Sequence, residues 1–507
     1  MKEYIITVKD PAVWDTGLWN ELTINGLGDN FIPKRAIEVL NERPFNDFSA
    51  HFNLTDEEAT EISQDSRIAF VELNADLQPG VIKEHFGTRA TYAYDKSNLT
   101  TATMKNWGLL RSSRPTNPFA SSTAVSANLT YNLDGAGVDI VVVDSGVESG
   151  HPEFAVNPDG TGGSRVVDFN WASLGVTGTA NAGSIGGYLG DSDGHGSNCA
   201  SIAAGNTCGW ASGAAIYSLR IFGGYHIRSS SYLGAIDSNI CFDLVRAFHL
   251  AKRAAGNMRP TICTNSWGYR SGYSGIGMYS TRWRGTTYST TYPNANYGQV
   301  NSLHPYVVNY LDVSATNCSN AGVILVGAAG NYRHKIDVAG GQDYDNYYNS
   351  NYGVTYYHRG SSPTRADGFI NVGAIDNTTA EQKVYFSETG PRVDVYSPGT
   401  MIMGAYANRS YQTYAVADPR NSTYHLNKIS GTSQACPQVT GILATVLQAR
   451  PAMTPAEAKQ FVVDYSIKNA IVEGSSTAYS STTYLQGGNN RILKTPFTSP
   501  DRGSITS

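Results

Sequence analysis

Three short stretches of the sequence carry side chains that could combine in acid–base and nucleophilic chemistry. Asp144 directly follows the apolar run VDIVVV at residues 138–143, and a carboxylate there either caps a turn or lies where α/β folds place their active sites. His195 stands between two glycines, which suits either a structural histidine or a ring held at a helix start. Ser433 precedes an apolar helical segment, where a hydroxyl either caps the helix or acts as a nucleophile.

A fourth candidate is Asn331, which follows a predicted buried strand in the stretch GAAGN. Its amide is either a turn residue or a hydrogen-bond donor to a developing oxyanion. The four residues occur along the chain in the order Asp144, His195, Asn331 and Ser433. This order matches one of the known solutions of Ser-His-Asp catalysis.

The elements that would position these residues alternate between strand and helix from about residue 106 onward. This alternation predicts an α/β fold with a mostly parallel central sheet and helices on both faces. The continuous apolar run at 138–143 is typical of a central parallel strand. Further strands are predicted at residues 215–222, 262–267, 323–328 and 369–375, and helices at 233–255, at 434–449 and from Thr454 onward.

The chain divides into four predicted parts. Residues 1–78 are expected to form a small α+β domain, with a helix that Thr55 and Glu58 begin as a capping box. Residues 79–105 show no clear periodicity and are predicted to be a linker. The main domain then covers 106–473, and a polar tail covers 474–507. Three Tyr-, Ser-, Gly- and Asn-rich insertions interrupt the main domain near residues 269–303, 332–368 and 404–428.

The composition excludes several functional classes. The chain has 507 residues, of which 41% are hydrophobic, so it can bury a large core. With 37 Lys and Arg against 42 Asp and Glu, the net charge is −5, which argues against nucleic-acid binding. No apolar stretch is long enough to span a bilayer. The six cysteines form no CxxC pair and are expected to be mostly reduced thiols.

A set of ordered motifs resembles the subtilisin-like serine proteases, and especially their proteinase K branch. The resemblance covers about residues 106–470 outside the three insertions. The motifs that carry it are NWGL at 106–109, VVVDSGVESGHPEF from 141, DGHGSNCASIAAG from 193, NSWG at 265–268, GAAGN at 327–331, NVGAID at 371–376, VDVYSPG at 393–399 and GTSQACPQVTG at 431–441.

The resemblance implies a role for each candidate residue. Ser433 would attack the scissile carbonyl after His195 takes its proton, and Asp144 would hold the imidazole and stabilise its charged form. Asn331 and the backbone N–H of Ser433 would stabilise the oxyanion. The expected activity is therefore that of a serine endopeptidase that acts on protein or peptide substrates through an acyl-enzyme.

The resemblance also assigns residues that contact the substrate, on two segments beside the nucleophile. The first segment would pair with extended substrate as an edge strand, and both would line the pocket for the residue before the cut. Trp267 is bulkier than the aliphatic residue usual in the family and is expected to reshape these pockets. The assigned residues are Ser266, Trp267, Gly268, Ala328, Ala329 and Gly330.

No cofactor is required for this chemistry, and the metal ligands remain unknown from the sequence. Structural calcium, which such enzymes often use, is left without an assigned site because no loop has EF-hand spacing. Cys199 and Cys436, beside His195 and Ser433, are expected to be inert buried thiols. The aspartates considered as calcium ligands are Asp191, Asp193, Asp343 and Asp345.

The N-terminal domain resembles the inhibitory propeptide of the same family. This implies an intramolecular inhibitor whose last strand lies in the cleft, with self-cleavage between Asp76 and Lys105; the alternative is a permanently attached accessory domain. The insertions are expected either to restrict access to the cleft or to mediate assembly. The first residues do not resemble a secretory signal, so the location is left open. The protein is expected to act in the cytoplasm where it is made, or to leave by lysis or within a virus-like particle, or the given sequence lacks its true N-terminus.

Two other functions stay open from the sequence alone. One is a protease-fold structural or assembly component, for example part of a virion, with or without activity. The other is an esterase with the same triad, which the propeptide-like domain and the peptide-pairing strand disfavour.

Overall fold

The structure of the protein is a computed structural model that describes most of the chain. The described residues are 1–24, 35–42, 48–75, 81–85, 87–88, 106–123, 125, 129, 133–229, 231–272, 278–289, 303–351, 353–406, 415–474 and 483–496. The helices are α1 (Trp19–Thr23), α2 (Asp56–Ile62), α3 (Trp107–Ser112), α4 (His195–Ala204), α5 (Cys241–Ala254), α6 (Asn309–Asn320), α7 (Thr432–Ala449) and α8 (Pro455–Tyr465).

The strands fall into one large sheet and several small ones. They are β1 (Lys2–Val8), β2 (Glu38–Asn41), β3 (Ser49–Leu54), β4 (Ile68–Leu73), β5 (Val81–His85), β6 (Gly87–Thr88), β7 (Asp139–Asp144), β8 (Gly146–Val147), β9 (Val166–Val167), β10 (Gly190–Asp191), β11 (Ala215–Arg220), β12 (Gly224–Tyr225), β13 (Tyr232–Leu233), β14 (Thr261–Asn265), β15 (Trp267–Gly272), β16 (Met278–Trp283), β17 (Thr286–Ser289), β18 (Leu303–Pro305), β19 (Ile324–Ala328), β20 (Tyr347–Ser350), β21 (Gly353–Tyr356), β22 (Phe369–Ile375), β23 (Val395–Pro398), β24 (Ile402–Tyr406), β25 (Val416–Asp418), β26 (Asn421–Gly431), β27 (Ile467–Lys468) and β28 (Arg491–Ile492).

The large sheet confirms the predicted α/β fold. Its nine described strands pair in the order β27-β28-β23-β22-β19-β14-β7-β11-β9. Every neighbouring pair is parallel except β27 with β28. The carboxyl ends of parallel strands lie at one edge of the sheet, so the residues that follow β7, β14 and β19 are brought together there.

Both faces of the sheet are covered by helices, which explains why β7 is apolar without alternation. Ile140 and Val142 pack with residues of α4, α7 and α8 on one face. Val141 and Val143 pack with residues of α5 and α6 on the other. Among the described helices, none is both long and apolar enough to cross a membrane.

One predicted helix is shorter than its pattern indicates. The apolar stripe predicts a helix over 233–255, but α5 begins only at Cys241. Asp237 accepts a hydrogen bond from the N–H of Asn239 (2.9 Å) and caps a single turn of 3₁₀ helix at Ser238–Ile240 instead. Local capping by a short polar side chain therefore decides the helix start.

The N-terminal part forms a separate antiparallel sheet in the order β2-β3-β1-β4. Its own apolar core includes Ile6, Phe52 and Ile62. The predicted capping box at Thr55 and Glu58 is present in both directions. These residues bury one face of the sheet against helices within the N-terminal part, without help from the central sheet.

The first two insertions are joined to each other by strand pairing. β16 and β17 come from the first insertion and β20 and β21 from the second, and they form one sheet in the order β17-β16-β20-β21. The third insertion contributes β25 and most of the long strand β26. Residues 273–277, 290–302 and 407–414 of these insertions lie outside the described residues.

Residues 474–507 are predicted to be a polar tail with little packing material, but residues 483–496 pack on the main domain. β28 joins the central sheet beside β23, and Leu485 and Ile492 are buried. A few apolar side chains are enough to dock this segment, although its overall composition is polar. Residues 475–482 and 497–507 lie outside the described residues.

Candidate active site

Asp144 and His195 form a buried hydrogen-bonded pair at the carboxyl edge of the central sheet. Asp144 ends β7 and His195 begins α4. The Nδ1 atom of His195 lies 2.9 and 3.0 Å from the two carboxylate oxygens of Asp144. Gly194, with a φ of 99°, makes the turn that starts the helix at this point. The predicted pairing of a carboxylate with the imidazole is therefore present.

The environment of this pair sets the charge of the imidazole. Burial by itself lowers the pKa of His195, but the adjacent Asp144 carboxylate outweighs it, and the pKa is raised well above the ordinary value of 6.5. Burial raises the pKa of the neighbouring Cys199 thiol, so the sulfur is neutral near neutral pH. Asp144 is therefore the negative charge that stabilises a protonated His195.

Asp191 organises the loop that presents His195, a role that the sequence did not reveal. Its carboxylate accepts hydrogen bonds from the hydroxyls of Ser145 (2.7 Å) and Ser197 (2.6 Å). It also accepts from three backbone N–H groups between residues 193 and 197. Because Ser145 follows Asp144 directly, Asp191 fixes the two members of the pair relative to each other.

Three of the four aspartates considered for calcium, Asp191, Asp343 and Asp345, have carboxylates that protein donors already engage. Five protein donors already surround Asp191, and the backbone of Asp193 is one of them. Asp343 pairs with Arg284 (2.7 Å) and Lys335 (2.8 Å), and Asp345 pairs with Arg359. Cationic partners at a carboxylate oppose the binding of a cation. In the described part of the chain, the one grouping of potential metal ligands is Asp144, His195 and Cys199, which is the pair above and its neighbour.

Ser433 lies in the first turn of α7, close to the Asp144–His195 pair. Its hydroxyl donates to the carbonyl of Ser266 (3.1 Å), and its own carbonyl accepts from the Ser266 hydroxyl (3.0 Å). The Sγ atom of Cys199 lies 3.5 Å from the carbonyl oxygen of Ser433 and 3.9 Å from Nδ1 of His195. The Cys199 sulfur therefore lies between His195, which begins α4, and Ser433 on α7.

Asn331 is fixed against the same helix start. Its Oδ1 accepts from the backbone N–H of Thr432 (2.9 Å) and from the Thr432 hydroxyl (3.0 Å). The Thr432 hydroxyl also accepts from the N–H of Gly330 (3.1 Å). These bonds fix the Asn331 amide beside Thr432, the residue that precedes Ser433.

The residues predicted to contact substrate lie on both sides of Ser433. Ser266 joins β14 to β15, and Trp267 and Gly268 begin β15. The indole of Trp267 is fully buried and stacks on Phe242 (ring centroids 6.4 Å apart). The Trp267 side chain is therefore part of the core beneath β15, and only its backbone is available at the strand edge.

The second predicted segment follows β19. Ala328 ends that strand, and Ala328 and Ala329 are fully buried. The N–H of Ala329 donates to the carbonyl of Val372 (2.9 Å). Gly330 has a φ of +120°, and a Cβ atom there would overlap Arg270 and Glu388. Only glycine suits this position, which directly precedes Asn331.

A buried ion pair, which no sequence pattern indicated, lies behind Gly330. Arg270 on β15 and Glu388 are both fully buried, and their charged groups are 2.7 Å apart. The backbone N–H of Glu388 donates to the carbonyl of Gly330 (2.9 Å), and the Arg270 guanidinium lies over the ring of Tyr332. The pair ties the strand that follows Ser266 to the loop that carries Asn331.

The six cysteines all lie in the described part of the chain, and all are buried free thiols. Burial raises the pKa of Cys436 to about 12. This agrees with the expectation of reduced thiols beside the site. A neutral, buried thiol is a poor nucleophile, so neither Cys199 nor Cys436 competes with Ser433 chemically.

Two strands, β5 (Val81–His85) and β6 (Gly87–Thr88), pair with segments on either side of Ser433, although both lie in the segment predicted to be a linker. β5 pairs antiparallel with β15, with His85 opposite Trp267. β6 pairs antiparallel with the end of β26, with Gly87 opposite Gly431. Trp267 follows Ser266 and Gly431 lies two residues before Ser433, so the two pairings flank the serine. Such pairing uses backbone groups and needs no alternation of apolar side chains. The strands β5 and β6 therefore could not be predicted from the hydrophobic pattern of this segment.

The N-terminal sheet contacts the main domain at the start of α6. Glu72 on β4 accepts hydrogen bonds from the backbone N–H groups of Asn309 (3.2 Å) and Tyr310 (3.1 Å). Nearby, the side chain of Asn239 donates to Asn74 (3.0 Å). A carboxylate of the N-terminal part thus occupies the positive end of a helix of the main domain.

Comparisons with known proteins agree with this architecture. The family model described as the subtilase family, Peptidase_S8, matches residues 135–490. An extracellular serine proteinase of a Thermus species is 26% identical over 444 residues, which is 87% of this chain and 74% of that protein. A subtilisin-like protease of Coccidioides posadasii is 22% identical over 498 residues, covering 93% of this chain and 78% of that protein.

The solved structures show the same fold. The crystal structure of fervidolysin from Fervidobacterium pennivorans, a keratinolytic enzyme related to subtilisin, matches with a TM-score of 0.51 at 15% identity. That match covers 97% of this chain and 60% of fervidolysin. The family model alone spans well over half of the sequence and includes Asp144, His195, Asn331 and Ser433. The chain therefore belongs to the subtilase family and is a serine endopeptidase.

Proposed function

We propose that Asp144, His195 and Ser433 are the catalytic triad of this endopeptidase. The observation that carries the proposal is the buried His195 ring held by both oxygens of Asp144, beside the helix turn that bears Ser433. In this arrangement Ser433 Oγ attacks the scissile carbonyl carbon while His195 Nε2 takes the hydroxyl proton. The same nitrogen then gives the proton to the leaving amine, and water hydrolyses the acyl-enzyme.

Asn331 and the backbone N–H of Ser433 are the proposed oxyanion donors. The Asn331 oxygen accepts two hydrogen bonds from Thr432, which hold the amide beside the residue that precedes Ser433. The start of α7 supplies the partial positive charge of a helix N-terminus where the negative oxygen develops. The Ser433 hydroxyl donates to Ser266 in the present state, so attack requires a rotation about its Cα–Cβ bond.

A fluorophosphonate probe tests the triad directly. The self-processed wild-type protein should be labelled on Ser433, and the variants Ser433→Ala and His195→Ala should not be labelled. Ser173→Ala, at an exposed position, is the matched control and should label like wild type. Labelling of the Ser433→Ala protein, or no labelling of the processed wild type, would contradict the assignment.

We further propose that the N-terminal part is an intramolecular inhibitor and the first substrate of the enzyme. Two observations support this: β5 and β6 occupy the two sides of Ser433, and the N-terminal sheet is anchored on α6 through Glu72. His85, the last residue of β5, and Gly87, the first residue of β6, are paired with the strands on the two sides of the serine. The cut is therefore proposed in one of the two peptide bonds that join these residues; Phe86 itself lies outside the described residues.

Intact mass measurement and N-terminal sequencing test self-cleavage. The wild-type chain should convert to a product that begins at Phe86 or Gly87, and the Ser433→Ala chain should remain uncut. Trimming of the Ser433→Ala chain at the same rate, in a preparation free of other proteases, would show that an external protease does the cutting. A wild-type product that begins elsewhere would show that β5 and β6 are not seated as a substrate.

We also propose that the insertions restrict access of substrates to the cleft. The first insertion begins within β15, and the sheet that it forms with the second insertion contacts β15 through Tyr348 and Ser271, whose hydroxyls lie 3.4 Å apart. Their position supports restriction of the cleft to extended protein segments. Hydrolysis of a folded protein and of the same protein unfolded, compared in the processed enzyme, should differ strongly if this is correct.

A further inference from the structure

We infer that β15, the strand proposed to pair with substrate, binds a peptide well beyond the residues next to the cut. It does so through a second pair of backbone hydrogen bonds, made by Arg270. This inference rests on the proposed function, in which β5 is seated as substrate. Backbone pairing of this kind contributes affinity without reading side chains, because every residue but proline carries the same N–H and C=O groups.

The pairing between β5 and β15 is long. Five consecutive residue pairs join the two strands, from His85 opposite Trp267 to Val81 opposite Ser271. Glu84 lies opposite Gly268 and Ile82 lies opposite Arg270. In the three-stranded sheet β18-β15-β5, β5 occupies the outer edge. Removal of β5 would therefore leave the whole length of β15 open to another extended peptide.

The direction of the backbone groups identifies which of these pairs are hydrogen-bonded. The N–H of Tyr269 donates to Ser362 (2.9 Å), and the carbonyl of Tyr269 accepts from Tyr306 (3.1 Å), both on the side away from β5. Successive residues of a strand point their backbone groups to opposite edges. The groups of Gly268 and Arg270 therefore face β5, so Ile82 and Arg270 exchange hydrogen bonds whereas Lys83 and Tyr269 do not.

The remote half of β15 is built as a rigid support rather than a loose loop. β18 pairs with it on the far side, with Pro305 opposite Arg270 and His304 opposite Ser271. The Arg270 side chain is fixed by its buried pair with Glu388. These contacts hold the strand in place before a peptide arrives, so pairing there carries a small ordering cost.

Counted from a cut before Gly87, Glu84 is the third residue on the acyl side and Ile82 is the fifth. A substrate that reaches the fifth residue would gain the Arg270 pair, and a shorter one would not. A net gain of about 0.5–1.5 kcal/mol per backbone hydrogen bond corresponds to about a 2- to 10-fold change in kcat/KM. The enzyme is thus expected to favour long extended segments over short peptides.

N-methylated peptides test this inference with a matched control. The substrate is acetyl-Val-Ile-Lys-Glu-His-Phe, the sequence of residues 81–86, with a fluorogenic amide at its end, cleaved by the self-processed enzyme. N-methylation at the position of Ile82 removes a donor that faces Arg270. N-methylation at the position of Lys83 removes a donor that faces away. We expect kcat/KM to fall about 3- to 10-fold for the first peptide and to change less than twofold for the second.

The outcomes separate the inference from the proposed function. If the unmodified peptide is cleaved and both methylated peptides are cleaved equally well, the endopeptidase assignment stands and the Arg270 pair is refuted. A larger loss for the Lys83 position would also refute it, because the strand would then present the opposite edge. If none of the peptides is cleaved by an enzyme that a fluorophosphonate labels, β5 is not seated as substrate and the inference falls with that part of the proposal.

Discussion

Removal of only one member of the buried Arg270–Glu388 pair should destabilise the protein more than removal of both. The two side chains are fully buried and 2.7 Å apart, so Glu388→Leu leaves an uncompensated guanidinium in the interior, at a cost of about 3–5 kcal/mol. Arg270→Met leaves a buried carboxylate at a similar cost, and it also removes a contact over the Tyr332 ring worth about 1–2 kcal/mol. Apolar replacement of both members removes the desolvation of two charges, so the double variant should lie within about 2 kcal/mol of the parent.

Guanidinium denaturation of the four chains, each carrying Ser433→Ala to prevent self-digestion, measures this double-mutant cycle. The expected coupling between Arg270→Met and Glu388→Leu is at least about 4 kcal/mol, with the double variant more stable than either single variant. Free energies of unfolding that simply add would refute the reasoning, because they would mean that water or other groups already satisfy each charge. In chains with Ser433 intact, the single variants should also lose activity, since Glu388 holds the carbonyl of Gly330.

Three further results are expected. Asp144→Asn should lower kcat by about 10⁴-fold, the loss known from other serine proteases. Because the Asp144 carboxylate raises the pKa of His195, the rise of kcat/KM with pH should also begin at lower pH in this variant, and equal midpoints in pH–rate profiles would contradict this. Asn331→Ala should lower kcat by about 10²–10³-fold, again a size taken from related enzymes, with little change in KM, whereas a loss confined to KM would argue against an oxyanion role. Burial raises the pKa of Glu72 to about 7, above its ordinary value, so the stability it contributes is present at pH 4.5 and is lost as pH rises through 7. The melting temperature of the Ser433→Ala chain should therefore fall between pH 5 and 8 by more than that of the Glu72→Gln chain, and Glu61→Gln, at an exposed site, should behave like the parent.

The sequence predicted the parts of the site that depend on local pattern. The apolar run before Asp144 is buried on both faces of the sheet, so its composition alone indicates a central strand. The helix that carries Ser433 is rich in apolar and small residues, which predicts a buried helix over 434–449. In the structure the helix begins two residues earlier, at Thr432. Motif order then predicted that His195 lies beside Asp144, and the structure has them in hydrogen-bond contact.

The parts that could not be predicted depend on partners distant in sequence. β5 and β6 are strands only because β15 and β26 offer open edges to them. Arg270 and Glu388 are charged residues whose burial depends on each other. Asp191 resembled a metal ligand in the sequence, because nothing local shows that five protein donors surround it. In each case the deciding interaction joins segments that no local periodicity connects.

The shared sheet of the two insertions has a consequence for how this enzyme can be shortened. β16 from the first insertion and β20 from the second are hydrogen-bonded neighbours in the interior of that sheet. Deletion of either insertion would remove the partner from one side of β16 or β20. The unpaired backbone N–H and C=O groups of that strand would then form an exposed edge that can pair with other chains. Deletion of one insertion alone would therefore produce a protein that aggregates. A shortened enzyme should lack both insertions, with the first deletion starting after the last residue of β15.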